Sequence, residues 1–343
     1  MKHRFTELDA IRGIAVLMVV LFHYTARYGD LYGLSIDPLF SFGLGKYGVQ
    51  LFFIVSGFVI FLTLEKTRHA ADFVVSRFAR LYPAYWAAIV LTYGVLEVFT
   101  LPGREVSVEA ALINLSMIQT WLRVSHVDGV YWTLAIELSF YFVMLILYMT
   151  GLLKRVYTVC TVWLLIIIAA RLLEKFGGVP IHWAIKMGLL LNFGNLFIAG
   201  IMFYKIMHKP AIAAYGILGL ALLAEAVLHG RLVVLVAGYF GLFYLFTQGR
   251  LQALAVRPLI YLGTISYSLY LIHQNIGYVI IRALENSDYL NPVTLFVVPM
   301  AVSLAIAGLM QTYIEKPSLK LIRNLWNKSR AREWFTGVPL VRA

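Results

Sequence analysis

The sequence is poor in charge. Aspartate, glutamate, lysine and arginine make up 13% of its 343 residues, about half the roughly 25% of soluble domains. A compact domain of this size needs a polar surface, and the chain lacks the material to cover one. It holds a single cysteine, Cys160, which excludes an intramolecular disulfide and a disulfide scaffold. A Walker A loop, a GxSxG elbow, an HExxH pair and a cysteine–histidine cluster are all missing. These motifs carry phosphate binding, serine hydrolysis and zinc chemistry. The eight histidines are scattered, so no metal is expected. Asp9 and Arg12 interrupt the first apolar run, and no A-x-A cleavage site follows it. It reads as an uncleaved span rather than a signal peptide.

What the chain has in abundance is apolar surface. Apolar residues make up 61% of it, and mean hydropathy is +0.81. Ten apolar windows of membrane-spanning length run near 11–27, 44–64, 83–101, 131–151, 156–174, 187–204, 211–228, 231–248, 259–283 and 292–314. Lipid offers no partner to backbone N–H and C=O groups, so each is expected to be helical. The expected fold is therefore all-α: a polytopic membrane protein of about ten transmembrane helices. Residues 1–317 form the transmembrane domain and 318–343 a basic tail. With the N-terminus in the cytoplasm, 19 of the 29 basic residues fall on the inner side, among them Lys2, Arg4, Arg77, Arg80 and Arg342. Nine fall outside and Arg12 lies in the first span. The asymmetry predicts both termini in the cytoplasm. It also reads the net charge of +12 as a topology signal with affinity for anionic lipids, not for nucleic acid.

Ionisable groups at membrane depth are costly, and each is a functional candidate. Arg12 and His23 stand eleven residues apart, about three helical turns, so they share one face about 16 Å apart along the axis. Snorkelling of Arg12 and an interhelical hydrogen bond at His23 are the structural alternatives. Arg77 and Arg80 share a helix face in FVVSRFARLYPAYW and suit a phosphorylated ligand, or plain positive-inside bias. Pro83 is expected to open the third span. Glu137, in VYWTLAIELSFYF, needs a partner or a proton: it could orient a histidine, accept from a hydroxyl, pair with an arginine or pack between helices. Trp132 is a candidate sugar platform or an interfacial anchor. Ser56 is a candidate hydroxyl ligand or a helix contact. His273 lies in the ninth span, and Glu315 sits at the inner end of the tenth, which Pro317 is expected to terminate. Glu97 and Glu225 are expected to be interfacial.

Together these segments resemble the integral-membrane acyltransferase-3 family, the O-acetyltransferases of bacterial surface glycans. The resemblance rests on an ordered set: LDAIRGIAVLMVVLFH, FFIVSGF, SRFARLYPAYW, VYWTLAIELSFYF, ISYSLYLIH and IEKP, spanning residues 7–317. It implies cytoplasmic acetyl-CoA as donor and a hydroxyl of a surface polysaccharide or lipid-linked glycan as acceptor, in the bacterial inner membrane. It implies that His23 is catalytic and that Arg12, Arg77 and Arg80 serve the donor. Family members often append a periplasmic domain. This chain is expected to stop before one, so that the periplasmic partner is missing or separate; a homo-oligomer is the other expected arrangement. On this reading His23 acts as general base or transient acyl carrier. Glu137 or Glu315 orients it, and Trp132, Ser56, His273 and Glu315 line the substrate path. The competing reading is a transporter or flippase of an anionic lipid-linked glycan.

Overall fold

The computed structural model describes residues 5–336, so Lys2, Arg4 and Arg342 lie outside it. Among the described residues there are helices and no strands. The helices are α1 (Thr6–Phe22), α2 (Tyr28–Tyr32), α3 (Gly48–Lys66), α4 (Ala70–Val98), α5 (Val108–Asn114), α6 (Trp132–Met149), α7 (Val156–Gly177) and α8 (Trp183–Gly188). They continue with α9 (Gly194–His208), α10 (Ile212–His229), α11 (Val233–Thr247), α12 (Arg257–Glu285), α13 (Thr294–Met310), α14 (Lys316–Lys328) and α15 (Arg330–Thr336). Two π-helical turns interrupt the series, His23–Arg27 after α1 and Gln311–Glu315 after α13.

The apolar windows fall mainly on helices, but the one near 187–204 is broken by a turn at 189–193 between α8 and α9. Seven helical stretches are long and apolar enough to cross a membrane: Thr6–Tyr32, Gly43–Lys66, Ala70–Val98, Gly129–Met149, Leu152–Gly177, Ile212–Thr247 and Thr294–Lys328. Ile212–Thr247 holds both α10 and α11, which turn at Gly230 with its φ of +60°. At 15 residues, α9 is short for a span.

Contacts divide the chain into two compact units. The first comprises Met1–Ile11, Val49–Ala70 and Ile136–Val256. Here α3 and α9 meet backbone to backbone. A side chain at Gly57 would overlap the Phe197 carbonyl, and one at Gly200 the Ile54 carbonyl. Small residues allow such approach where no hydrophobic force drives helices together. Phe197 fills the space beside the contact, stacked on Phe140 at 4.1 Å and near Phe53 at 4.9 Å. Glu225, expected at an interface, is instead fully buried on α10. It accepts from Asn195 at 2.7 Å and from His229 at 3.0 Å, which satisfies the carboxylate inside the packing.

The second unit comprises Arg12–Gly48, Ala71–Ala135 and Arg257–Ala343. Its spine is α12, buried almost continuously from Gly263 to Tyr278. The α1 helix runs beside α12 and parallel to it. Gly13 abuts the Leu259 carbonyl near the start of α12, and the ring of Tyr24 lies against Gly277 further along. The Tyr24 hydroxyl donates to the His273 carbonyl at 2.8 Å and pairs with Ser303 of α13 at 2.8 Å. Two prolines depart from expectation. Pro83 lies inside α4, thirteen residues past its start, rather than opening a span. Pro317 does not end the last helix; it stands in the first turn of α14, where a missing N–H is tolerated.

A side chain at Gly277 would collide with the Tyr24 ring, whereas Gly238 on α11 faces open space. Gly277→Ala is expected to lower stability by about 1–3 kcal/mol through overpacking. Gly238→Ala is expected to be neutral or stabilising by up to about 1 kcal/mol. Thermal unfolding of the two variants in detergent checks the contrast.

Candidate functional site

The helical register from Arg12 through Phe22 is unbroken α, so Arg12 and His23 share the face of α1 that meets α12. His23 opens the π-turn, a distortion often found at functional positions. Its Nδ1 lies 2.8 Å from the Val19 carbonyl and 3.2 Å from Nε2 of His273. Nδ1 of His273 faces the Tyr270 carbonyl at 2.9 Å and the Leu269 carbonyl at 3.2 Å. Carbonyls only accept, so each neutral ring carries its proton on Nδ1. His273 Nε2 then presents a lone pair that shares the His23 Nδ1–H. The remaining nitrogen, His23 Nε2, is the unprotonated one, and no described residue hydrogen-bonds it. Three backbone carbonyls and one histidine thus fix the two rings and leave His23 Nε2 without a hydrogen bond to a described residue.

Seven residues before His273, about 10 Å along α12, Ser266 accepts from Arg12 at 2.9 Å. Two residues further, Ser268 donates to Glu315 at 2.9 Å. Glu315, 3% exposed, closes the second π-turn and pairs with Arg80. The Arg80 guanidinium also lies over the Tyr267 ring. Arg77 and Arg323 both donate to Ser76 Oγ, at 3.4 and 2.9 Å, and Arg77 and Arg80 both act electrostatically on Arg323. Three guanidiniums therefore gather where α4 meets α14, an arrangement suited to a polyphosphate.

Glu137 and Ser56, both candidates, meet in the first unit. Ser56 donates to Glu137 at 3.0 Å and Tyr141 donates at 2.5 Å. Hydrogen bonds to Glu315 come from Arg80 and Ser268, and the side chain hydrogen-bonded to His23 is His273. Trp132 starts α6 and is 39% exposed. Sequence reasoning missed Arg323, Tyr278 and Asp128. The first had a signal: Lys316, Lys320 and Arg323 follow i, i+4, i+7 spacing on one face. Asp128 is fully buried, caps the turn before α6 through Val130 N–H, and accepts from the Asn275 backbone N–H of α12 at 3.0 Å. Asn275 returns a bond to the Val127 carbonyl at 2.9 Å. The loop is thereby stapled to α12 two residues past His273.

The sequence model of the acyltransferase-3 family, described as an acyltransferase domain, matches residues 5–311. The chain belongs to that family. It is therefore an acyltransferase, and the matched region covers the histidine pair, Arg12, Arg77 and Arg80. The acyltransferase is 27% identical over 341 residues to the exopolysaccharide production protein ExoZ of Rhizobium meliloti (strain 1021), covering 93% of this chain and 98% of that protein. It is 38% identical over 93 residues to Protein 2 in the picA locus of Rhizobium radiobacter, a match spanning 26% of this chain and 44% of that relative. No solved structure matches the acyltransferase significantly.

Burial pushes the Asp128 carboxyl up from 3.8 to about 7, against the pull of its two backbone hydrogen bonds and of Arg104. Between those values the folded acyltransferase binds more protons here than the unfolded chain. Stability contributed by this group therefore falls as pH rises from about 4 to about 7 and is level above. Asp128→Asn is expected to flatten that slope, read as the wild-type-minus-variant difference in thermal unfolding across the window.

Proposed function

We propose that this acyltransferase moves an acetyl, or similarly short acyl, group from cytoplasmic acyl-CoA to a hydroxyl of a surface polysaccharide or lipid-linked glycan, with His23 as general base. The observation that carries this reading is the His23 Nε2 lone pair, left open by a hydrogen-bonded chain that fixes both rings. The acceptor oxygen attacks the thioester carbonyl and its proton passes to His23 Nε2. The carbon–sulfur bond then breaks, and the leaving thiolate takes the proton back from His23. His273, uncharged and accepting from His23, is a positioning residue that holds the ring in the reactive tautomer. ExoZ's name ties that relative to exopolysaccharide production. We carry a polysaccharide acceptor from it to this chain.

The donor's phosphates fit the Arg77, Arg80 and Arg323 cluster, where each guanidinium binds oxygens by its planar fork. The pantetheine arm then runs beside α1 past Arg12, whose distance of about 16 Å from His23 along the helix is comparable to an extended arm. Glu137 and Ser56, hydrogen-bonded together, and Trp132 and Glu315 are proposed to line the substrate path.

This reading places both termini in the cytoplasm of a bacterial inner membrane with ten crossings. Parallel α1 and α12 imply an odd number of crossings between them; we assign seven, to α3, α4, α6, α7, α10, α11 and, short as it is, α9. Residues 1–317 form the acyltransferase domain. The basic tail from 318 begins in α14, whose Lys316, Lys320 and Lys328 suit anionic lipids.

His23→Ala is expected to lower transfer by about 10²–10⁴-fold and to leave acetyl-CoA affinity intact. Arg323→Ala is expected to do the reverse, weakening donor binding by about 1.5–3 kcal/mol. Donor titration and transfer assays on purified protein, with mass spectrometry of surface polysaccharide from cells with and without the gene, test the reading. Unchanged polysaccharide acetylation, or wild-type transfer by His23→Ala, would overturn it. A trapped acetyl adduct on His23 would replace direct attack with a two-step route through an acyl-histidine.

A further inference from the structure

Past His23, on the side away from Arg12, lies a corner that the transfer step does not use. Tyr278 of α12 stands 6.3 Å from the His23 ring and packs on Tyr28 at 5.4 Å and Tyr32 at 6.1 Å. Its hydroxyl is fully buried without a hydrogen-bond partner. Arg104 reaches the same corner from a tight turn, closed by its own N–H on the Leu101 carbonyl at 3.0 Å with Gly103 at φ +73°. Tyr32 ties the turn down by donating to the Pro102 carbonyl at 3.2 Å. The Arg104 Nη1 lies against Gly129, 3.2 Å from where a Cβ would stand, next to the Gln274 amide.

No described residue hydrogen-bonds or ion-pairs with the Arg104 guanidinium, nor with that of Arg27 in the π-turn. Arg27 belongs to the same π-turn as His23, and Arg104 stands beside Gln274, the residue after His273 on α12. Two buried or bonded carboxylates of this corner, Asp128 and Glu285, are already engaged. Asp128 accepts from two backbone N–H groups, and Glu285 accepts from Tyr28 at 2.6 Å and from Ser35. Two guanidiniums without a hydrogen-bonding partner near a general base leave their donor forks open to an anion. That arrangement makes chemical sense when the acceptor brings a counter-charge along with its hydroxyl.

We propose that the acceptor is an acidic saccharide, whose carboxylate is taken by Arg104 with support from Arg27 while its hydroxyls meet Tyr278 and Gln274. This deepens the reading of His23 as base, on which it rests. It makes Arg104 a specificity determinant: a charge-assisted fork to a carboxylate discriminates against the neutral sugar of the same shape.

The test uses purified full-length protein and oligosaccharide repeats prepared from the polysaccharide of cells lacking the gene. One portion keeps its carboxyl groups and the other has them reduced to alcohols. Binding of each is measured by calorimetry, separately from acetyl transfer. Wild type is expected to bind the intact oligosaccharide at least about ten-fold more tightly than the reduced one, the effect of one charge-assisted contact. Arg104→Gln is expected to erase that preference and raise the acceptor KM, Arg104→Lys to keep part of it, and both to retain wild-type acetyl-CoA affinity as evidence of folding. Equal binding of the two oligosaccharides, binding of neither, an undiminished preference in Arg104→Gln, or a polysaccharide without acidic groups would each overturn the proposal. Selective binding lost in Arg104→Gln, without acetyl transfer to either oligosaccharide, would support it and count against the acyl-transfer reading instead.

Discussion

A helix buried over most of its length must find partners for most of the polar groups it carries. In α12 that requirement organises the second unit. Ser266, Ser268, Tyr270, His273 and Asn275 all lie within the buried stretch, where an unmet hydrogen bond is costly. Each recruits a different element: Arg12 of α1 on Ser266, Glu315 on Ser268, Thr133 of α6 on Tyr270, His23 on His273 and Asp128 through the Asn275 backbone. The partners of one helix thus fix the lateral position of its neighbours. The residues that hold the unit together include those proposed to bind and react.

The helices were legible in the sequence because apolar runs of membrane length leave the backbone no alternative. The facing of Arg12 and His23 was legible too, since α1 keeps its 3.6-residue period between them. The partner of His23 was not. His273 lies 250 positions away, and nothing in either local pattern refers to the other. The same distance problem hid the pairing of Arg80 with Glu315, which are 235 positions apart, and the burial of Glu225 against Asn195. Proline misled for a different reason. Local chemistry marks Pro83 and Pro317 as boundaries, but tertiary packing carries the helix through the first, and the π-turn before the second turns it into a starting residue.

The first unit solves the packing problem by other means. Gly57 and Gly200 let α3 and α9 touch through their backbones, and aromatic rings fill the remaining space around Phe58, which meets Phe5, Tyr204 and Phe246 at 5.4–5.9 Å. Its polar groups include small hydrogen-bonded sets such as Ser56–Glu137–Tyr141 and Asn195–Glu225–His229.

The π-turn at His23 acts as a phase shifter. In continuous α-helix, residues five apart point about 140° away from each other. The wider turn over His23–Arg27 closes with the Tyr28 N–H on the His23 carbonyl, so positions 23 and 28 come round to the same side. That is how His23 meets His273 while Tyr28 meets Tyr278, five residues further along α12. One extra residue in one turn lets a single helix keep its grip on a straight neighbour across two successive contacts. Removing it would leave the arginine-to-histidine face as it stands and swing everything beyond it, including Arg27 and the Tyr32 anchor, to a different side of the molecule.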